Sequence, residues 1–207
     1  MVVVNKPGGL LVHRSHESSD RVFLLQELAH QLDRRVYPVH RLDRAASGAI
    51  TFALSSDAAR KLQANLSADD SRKEYLALVR GSAPIRGVIE RALTQQACRS
   101  EFERLAELSR CSLLRVRIST GRRHQIRRHL SHIRHQIIGD TTYGKGNINR
   151  YFRETYGLPR SFLHAWRLEL RHPETGERLR IAAPLPDDLR DFLGRLPDVD
   201  TELLATL

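Results

Sequence analysis

The densest run of side chains able to do chemistry is Tyr37 to Gly48, YPVHRLDRAASG. One carboxylate, Asp43, stands there between Arg41 and Arg44, with His40 just upstream. Neighbouring cations favour the ionised form of an acid, so Asp43 is expected to be a poised anion. The apolar run Ala49 to Leu54 reads as a buried strand. Asp43 thus falls on a loop leading into a rigid element, where catalytic groups are often held. An arginine–aspartate pair on a solvated loop has the same local pattern, and such pairs are common and cheap.

The second dense region is Thr120 to His135, TGRRHQIRRHLSHIRH, which carries no acid. Ile126, Leu130, Ile133 and Ile137 keep helical spacing, which predicts a helix with Arg123, Arg127 and Arg134 on an adjacent stripe. A solvated helix usually mixes charge signs to gain i,i+4 pairs, so an all-cationic one points to phosphate. His124, His129, His132 and His135 raise the question of a metal. No HExxH pattern and no acidic or cysteine ligand accompanies them, and the arginines would repel a dication; no metal is expected. A third candidate is Tyr75, near the start of an alternating run, Lys73 to Arg80, on the same strand face as Lys73. A core tyrosine with a satisfied hydroxyl fits that position equally well.

Composition narrows the partners. Thirty-four Lys and Arg against 24 Asp and Glu give a net charge of +10, which favours a polyanion, because each phosphate neutralised releases counterions. Cys98 and Cys111 lack CxxC spacing and fit a reducing cytoplasm better than a disulfide framework. No run approaches the roughly 18 apolar residues of a membrane span, and the start has no signal-peptide pattern. Ile137-Ile138-Gly139-Asp140 and the Gly144–Asn149 stretch read as a glycine-rich loop without the lysine-serine or lysine-threonine ending of a Walker loop, so no nucleotide triphosphate is expected.

The positioning elements follow from periodicity. Met1 to Val4 is a short strand before the Asn5-Lys6-Pro7-Gly8-Gly9 loop, and Leu10 to Val12 resumes an extended segment ending at His13-Arg14-Ser15. Lys6, His13 and Arg14 are solvated cations or phosphate contacts. Ser18-Ser19-Asp20 offers N-caps for a helix whose inner face is Val22, Leu25, Leu28, Ala29 and Leu32. A second helix opens at Ser55-Ser56-Asp57, with Ala59, Leu62 and Leu66 inside. Phe102, Leu105 and Leu108 suit a helix or a twisted strand. Leu114, Val116 and Ile118 alternate with Arg115 and Arg117 as a strand with one basic face. Phe162 to Leu170 and Arg178 to Ala182 are paired strands around a turn at His172 to Gly176, and Leu189, Phe192, Leu193 and Leu196 make a short closing helix. No linker-like shift in composition occurs, so residues 1–207 are expected to form one domain.

Taken in order, NKPGGLLVHRS, HRLDRAASG, KEYLALVRG, TGRRHQIRRHL, HQIIGD and LHAWRLELRHP resemble the RluA-type pseudouridine synthases over nearly the whole chain. The VHRS and RRHL details look most like the tRNA pseudouridine synthase C branch, which acts on uridine 65. The resemblance implies an α+β fold, a mixed and mainly antiparallel sheet with helices around a central catalytic cleft. It implies isomerisation of uridine to pseudouridine in RNA without a cofactor, by a cytoplasmic monomer whose partner is tRNA. It makes Asp43 the catalytic carboxylate, Tyr75 the residue stacking on the target base, and Arg127 the cation partnering the aspartate. Arg41 helps flip the nucleotide, and RNA contacts extend to His40, Arg44, Lys73, Arg122, Arg123, Arg128 and Arg134. The chain departs from the pattern in a shortened N-terminal strand, in Ala46 where threonine is usual, in a short Ala92–Ser109 segment, and in Gln136 where proline is usual. Ribosomal RNA as substrate, a non-catalytic RNA-binding protein of the same fold, and a histidine-dependent nuclease are the alternatives.

Overall fold

The computed structural model describes residues 1–14 and 18–207. In chain order its elements are β1 (Val2–Lys6), α1 (Leu24–Gln31), β2 (Tyr37–Pro38), β3 (Ser47–Ala53), α2 (Ser56–Ser67), β4 (Arg72–Arg80), β5 (Arg86–Glu90), β6 (Arg99–Leu108), β7 (Cys111–Ile118), α3 (Gln125–His132), α4 (Gly146–Tyr156), β8 (Leu163–Arg171), β9 (Arg178–Ala182), α5 (Asp187–Gly194) and α6 (Thr201–Thr206). They fall into two compact units, Met1–Lys73 with Ala165–Ala183, and Glu74–His164 with Pro184–Leu207.

In the first unit β3 lies between β1 and β8, with β2 also pairing β3 and β9 pairing β8. The β1–β3, β2–β3 and β8–β9 pairs are antiparallel. All seven residues of β3 are buried. Helix α2 lays Ala58, Leu62 and Leu66 against Ala49, Ala53, Leu168, Leu170 and Ala183. As expected it opens at Ser55, whose Oγ accepts the Ala58 N–H at 3.2 Å; such a cap stabilises a helix by about 1 kcal/mol. Gly48, at φ +113°, begins β3 where a Cβ would stand 2.2 Å from the Ala165 carbonyl oxygen. Only glycine allows β8 that close.

Helix α1 differs from its expected form. It starts at Leu24, its N-cap is Phe23 with no side-chain cap, and Val22 and Leu32 are 54% and 38% exposed. The Leu24 and Leu25 N–H groups donate to the Leu11 and Val12 carbonyls at 2.9 and 3.0 Å. Tertiary pairing therefore satisfies the orphan donors that Ser18 to Asp20 were expected to serve. Ser15, the expected end of the extended segment, lies outside the described residues.

In the second unit the strand order is β4-β7-β6-β5, with β5–β6 and β6–β7 antiparallel. The ambiguous Phe102-Leu105-Leu108 spacing belongs to β6. A bulge between Arg104 and Ala106 inserts one extra residue into the alternation, which is why a strand carried a helix-like period. The expected basic face of β7 is neutralised from neighbouring strands. Arg115 pairs with Glu103 and Arg117 with Glu74 at 2.7 Å.

The cationic helix is shorter than its period suggests. α3 ends at His132, Arg134 sits at φ 66°, and Ile137 instead bridges Val79 of β4. The segment 136–138 docks along β4 through Arg80 N–H to Gln136 O at 3.0 Å and Ile138 N–H to Leu78 O at 2.9 Å. Sheet pairing has ended the helix despite the continuing apolar period. The expected glycine-rich loop is also corrected, since from Gly146 onward the chain is helix α4. Its buried Asn149 accepts the Gly139 N–H at 2.8 Å and donates to the Asp140 carbonyl at 2.8 Å.

Candidate active site

In the first unit the Asp43 loop is fixed from below by Lys6. That side chain is fully buried, and its ammonium donates to the carbonyls of Pro7 at 2.8 Å, Leu10 at 2.7 Å and Arg44 at 3.3 Å. A buried charge is tolerated only when its donors are met in this way. Lys6 is thus a strut, neither a solvated cation nor a phosphate contact. Gly9 N–H donates to the Arg44 carbonyl at 2.8 Å, and Arg44 Nε returns a bond to the Gly9 carbonyl at 3.1 Å. The Ala46 N–H closes a turn onto the Asp43 carbonyl at 3.1 Å. Leu42 and Ala46 are buried and anchor that turn, while Asp43 between them is half-buried.

The cations expected around Asp43 separate into two kinds. Arg41 is exposed. Arg44 carries a salt bridge to Asp20 at 2.9 Å. His40 is half-buried and its Nε2 accepts the Thr51 N–H at 2.9 Å. Burial, reinforced by the Lys73 charge, pushes its pKa down to about 4, so at neutral pH it ties the loop to β3 and offers phosphate no charge. Lys73 donates to the Leu66 carbonyl at 2.6 Å, at the end of α2 where a cation complements the helix dipole. Burial also lowers its pKa.

In the second unit Tyr75 is half-buried near the start of β4. The Thr120–Arg123 loop is shaped by Gln125, which is 3% exposed. Its Oε1 accepts the Thr120 hydroxyl at 2.8 Å and the Arg122 N–H at 3.1 Å, and its Nε2 donates to the Arg99 carbonyl at 2.9 Å. Arg122, Arg123 and Arg134 are exposed and Arg128 is half-buried. Of the expected stripe Arg123, Arg127 and Arg134, only Arg127 lies on α3, so the basic residues form a cluster gathered from a loop, a helix and the turn after it. The four histidines have separate jobs. Buried His129 bonds Ser100 Oγ at 2.8 Å and the Arg91 carbonyl at 3.0 Å. His132 meets Arg91, His135 meets the Arg80 carbonyl, and His124 meets the Tyr143 hydroxyl at 3.1 Å. Among the described residues no group of three or more His, Cys, Asp or Glu side chains could hold a metal ion.

Arg127 projects from α3 with its side chain 13% exposed. The carboxylate seated in its fork is Asp140, Nε to Oδ2 at 2.7 Å and Nη2 to Oδ1 at 2.8 Å. Oδ1 also accepts the Thr142 and Tyr143 N–H groups at 2.9 and 3.0 Å. Burial alone would raise the Asp140 pKa, but the Arg127 bonds and these N–H groups outweigh it and hold the carboxyl below its ordinary value. The Tyr143 ring lies under the guanidinium, 5.1 Å from centroid to Cζ. Gln125, Asp140, Tyr143 and Asn149 were not singled out in the sequence as parts of a site, and Lys6 was read there only as a solvated cation or phosphate contact. The spacing Gly139-Asp140-x-x-Tyr143-Gly144 was the available signal for Asp140 and Tyr143. For Lys6 nothing local distinguishes a buried lysine from a solvated one.

Comparisons with known sequences and structures give the chain its family. Residues 1–132 match the family described as RNA pseudouridylate synthase. The chain is 39% identical to tRNA pseudouridine synthase C of Yersinia pestis, covering 88% of this chain and 82% of that protein. It is 37% identical to tRNA pseudouridine synthase C of Vibrio vulnificus (strain CMCP6), covering 99% and 95%. In fold it resembles the solved structure of Human RNA Pseudouridylate Synthase Domain Containing 4, with a TM-score of 0.76 at 24% identity over 93% of this chain and 88% of that one. Human RNA Pseudouridylate Synthase Domain Containing 1 gives a TM-score of 0.74 at 24% identity over 99% and 89%. With a family match over more than half its length and relatives of this similarity, the chain belongs to the RNA pseudouridylate synthase family and is an enzyme that isomerises uridine to pseudouridine in RNA.

Proposed function

We propose that the chain converts uridine 65 of tRNA to pseudouridine by an aspartate-dependent, cofactor-free reaction in the cytoplasm. The observation that carries the reading is the Asp43 loop, a half-buried carboxylate on a turn braced by a buried lysine. The similarity to proteins named tRNA pseudouridine synthase C supports tRNA as substrate.

The reaction must break the N1–C1′ glycosidic bond, turn the base and form a C5–C1′ bond at the same sugar carbon, with C5 losing its proton and N1 gaining one. Asp43 is proposed to add to base or sugar, or to hold charge as the bond opens, a role that carboxylates fill in covalent catalysis. Arg127 supplies the cation that partners Asp43, and the Tyr75 ring holds the detached uracil by its face and is placed to help remove its C5 proton. A target in a stem has to be flipped out, at a cost of a few kcal/mol. Arg41 assists that step. Arg122, Arg123, Arg128 and Arg134 offset its cost on the phosphates, since A-form RNA is read mainly by shape and backbone. Residues of both units are assigned to one reaction, so the chain is proposed to work as a single catalytic domain.

The test is nucleotide-resolution pseudouridine mapping of tRNA and ribosomal RNA treated with the purified chain and with Asp43→Asn. Modification at uridine 65 of tRNA by the wild type alone is expected. Modification of ribosomal RNA only would overturn the substrate, and activity in pure Asp43→Asn would overturn the catalytic assignment.

A further inference from the structure

We infer that Asp140 is a positioning residue for the isomerisation: its carboxylate, backed by Tyr143, holds the Arg127 guanidinium in one plane and at one height. The inference rests on the role proposed for Arg127.

Asp140 is 1% exposed and its carboxylate accepts four bonds, two from Arg127 and two from the backbone of its own turn. A carboxylate so saturated is unsuited to chemistry of its own. What it does is remove freedom from Arg127. Two parallel bonds fix both the position and the rotation of a planar guanidinium, and the Tyr143 ring lies against its face at 5.1 Å.

The turn that carries Asp140 is itself anchored on several sides. Asn149 of α4 holds the backbone on either side of the Gly139–Asp140 link at 2.8 Å in both directions. The Gly144 N–H donates to the Asp140 carbonyl at 3.1 Å, and a Cβ at Gly144 would lie 2.2 Å from that oxygen. The Tyr143 hydroxyl meets His124 Nδ1 at 3.1 Å, and the two rings pack edge to face. His124 holds a left-handed backbone at φ 55° as the N-cap of α3, a strained state that persists only where surroundings impose it. The helix bearing Arg127 and the turn bearing Asp140 are thus joined at both the arginine and the helix start. A structural ion pair would need only the Arg127–Asp140 contact; the surrounding brace fixes where the guanidinium lies.

The experiment compares single-turnover rate at saturating tRNA, and tRNA affinity, for wild type, Asp140→Asn, Tyr143→Leu, Arg127→Lys and the Asp140→Asn/Arg127→Lys double variant. Asp140→Asn is expected to slow the step on the order of 10- to 100-fold, the scale of a misplacement near 1 Å, with affinity within about threefold. The double variant should be no more than about threefold slower than Arg127→Lys, because both changes remove the same grip. If Asp140→Asn does not fold, half-exposed Tyr143→Leu decides, with about a tenfold slowing expected from a looser guanidinium. A wild-type rate in a folded Asp140→Asn or Tyr143→Leu, fully multiplicative effects in the double variant, or a loss of affinity without loss of rate would each overturn the inference. Arg127→Lys at full rate would instead overturn the role of Arg127 on which it rests.

Discussion

Two aspartates, each in a basic setting, are held in opposite ways. Asp43 is half-buried on a turn whose backbone is braced by Lys6, Gly9 and Arg44. Asp140 is buried and its carboxylate itself is what the protein grips. In the first region the bracing bonds go to the main chain beneath the acid. In the second they go to the acid. A catalytic group and a group that positions another both need rigid support, and here the bonds around Asp43 brace its turn while those at Asp140 reach its carboxylate.

The largest effect expected from this contrast is that Asp43→Asn abolishes pseudouridine formation in a single-turnover assay. Its tRNA affinity should stay within a few-fold of wild type, and its stability should fall by less than that of the Asp140 variant. Asp140→Ala should do the converse in a denaturant titration and lose about 3–5 kcal/mol, since it strands a buried guanidinium. Equal stability losses in the two variants would erase the distinction between the regions.

Next in size, Arg127→Lys should lose on the order of 10²-fold in turnover, because lysine keeps the charge without the planar fork. Arg127→Ala should lose more, because it removes the charge as well as the fork. Wild-type turnover in both variants would separate Arg127 from the chemistry of Asp43.

A smaller effect concerns pH and stability. The folded pKa of His40 is about 4 against an unfolded 6.5. Between those values the unfolded chain binds the extra proton, so stability rises with pH across this window and is lost as pH falls through it. The change is at most about 3 kcal/mol, and thermal melts of His40→Gln between pH 4 and 7 should be flatter than those of wild type. The smallest effect is electrostatic. Replacing Arg123, Arg128 and Arg134 together by glutamine should reduce the salt dependence of tRNA binding by about 0.7–0.9 log units for each phosphate that is no longer neutralised. An unchanged slope would mean that this cluster does not face RNA.

Much of this was legible in the chain because it depends on local pattern. An apolar run located β3, period-two and helical spacings located β4, β7, β8, α2 and α5, a turn signal located β9, and the order of HRLD, KEY and GRRHQIR identified the family. Where expectations failed, a partner distant in sequence had supplied what local signals normally supply. Leu11 and Val12 carbonyls replaced the caps of α1, β4 took Ile137 from the end of α3, and a bulge gave β6 a helical period.

The sequence by itself determined the residue types that can do the chemistry and their order, since a motif is a property of the chain. Only the tertiary structure decided how each charge is used. Lys6, Lys73 and His40 are cations or potential cations by composition, yet burial beside carbonyl oxygens or an amide N–H turns them into supports. Asp140 became the carboxylate in the Arg127 fork because the turn after segment 136–138 carries it there. Desolvation and hydrogen-bond partners set the state of an ionisable group, and both are properties of the folded surroundings.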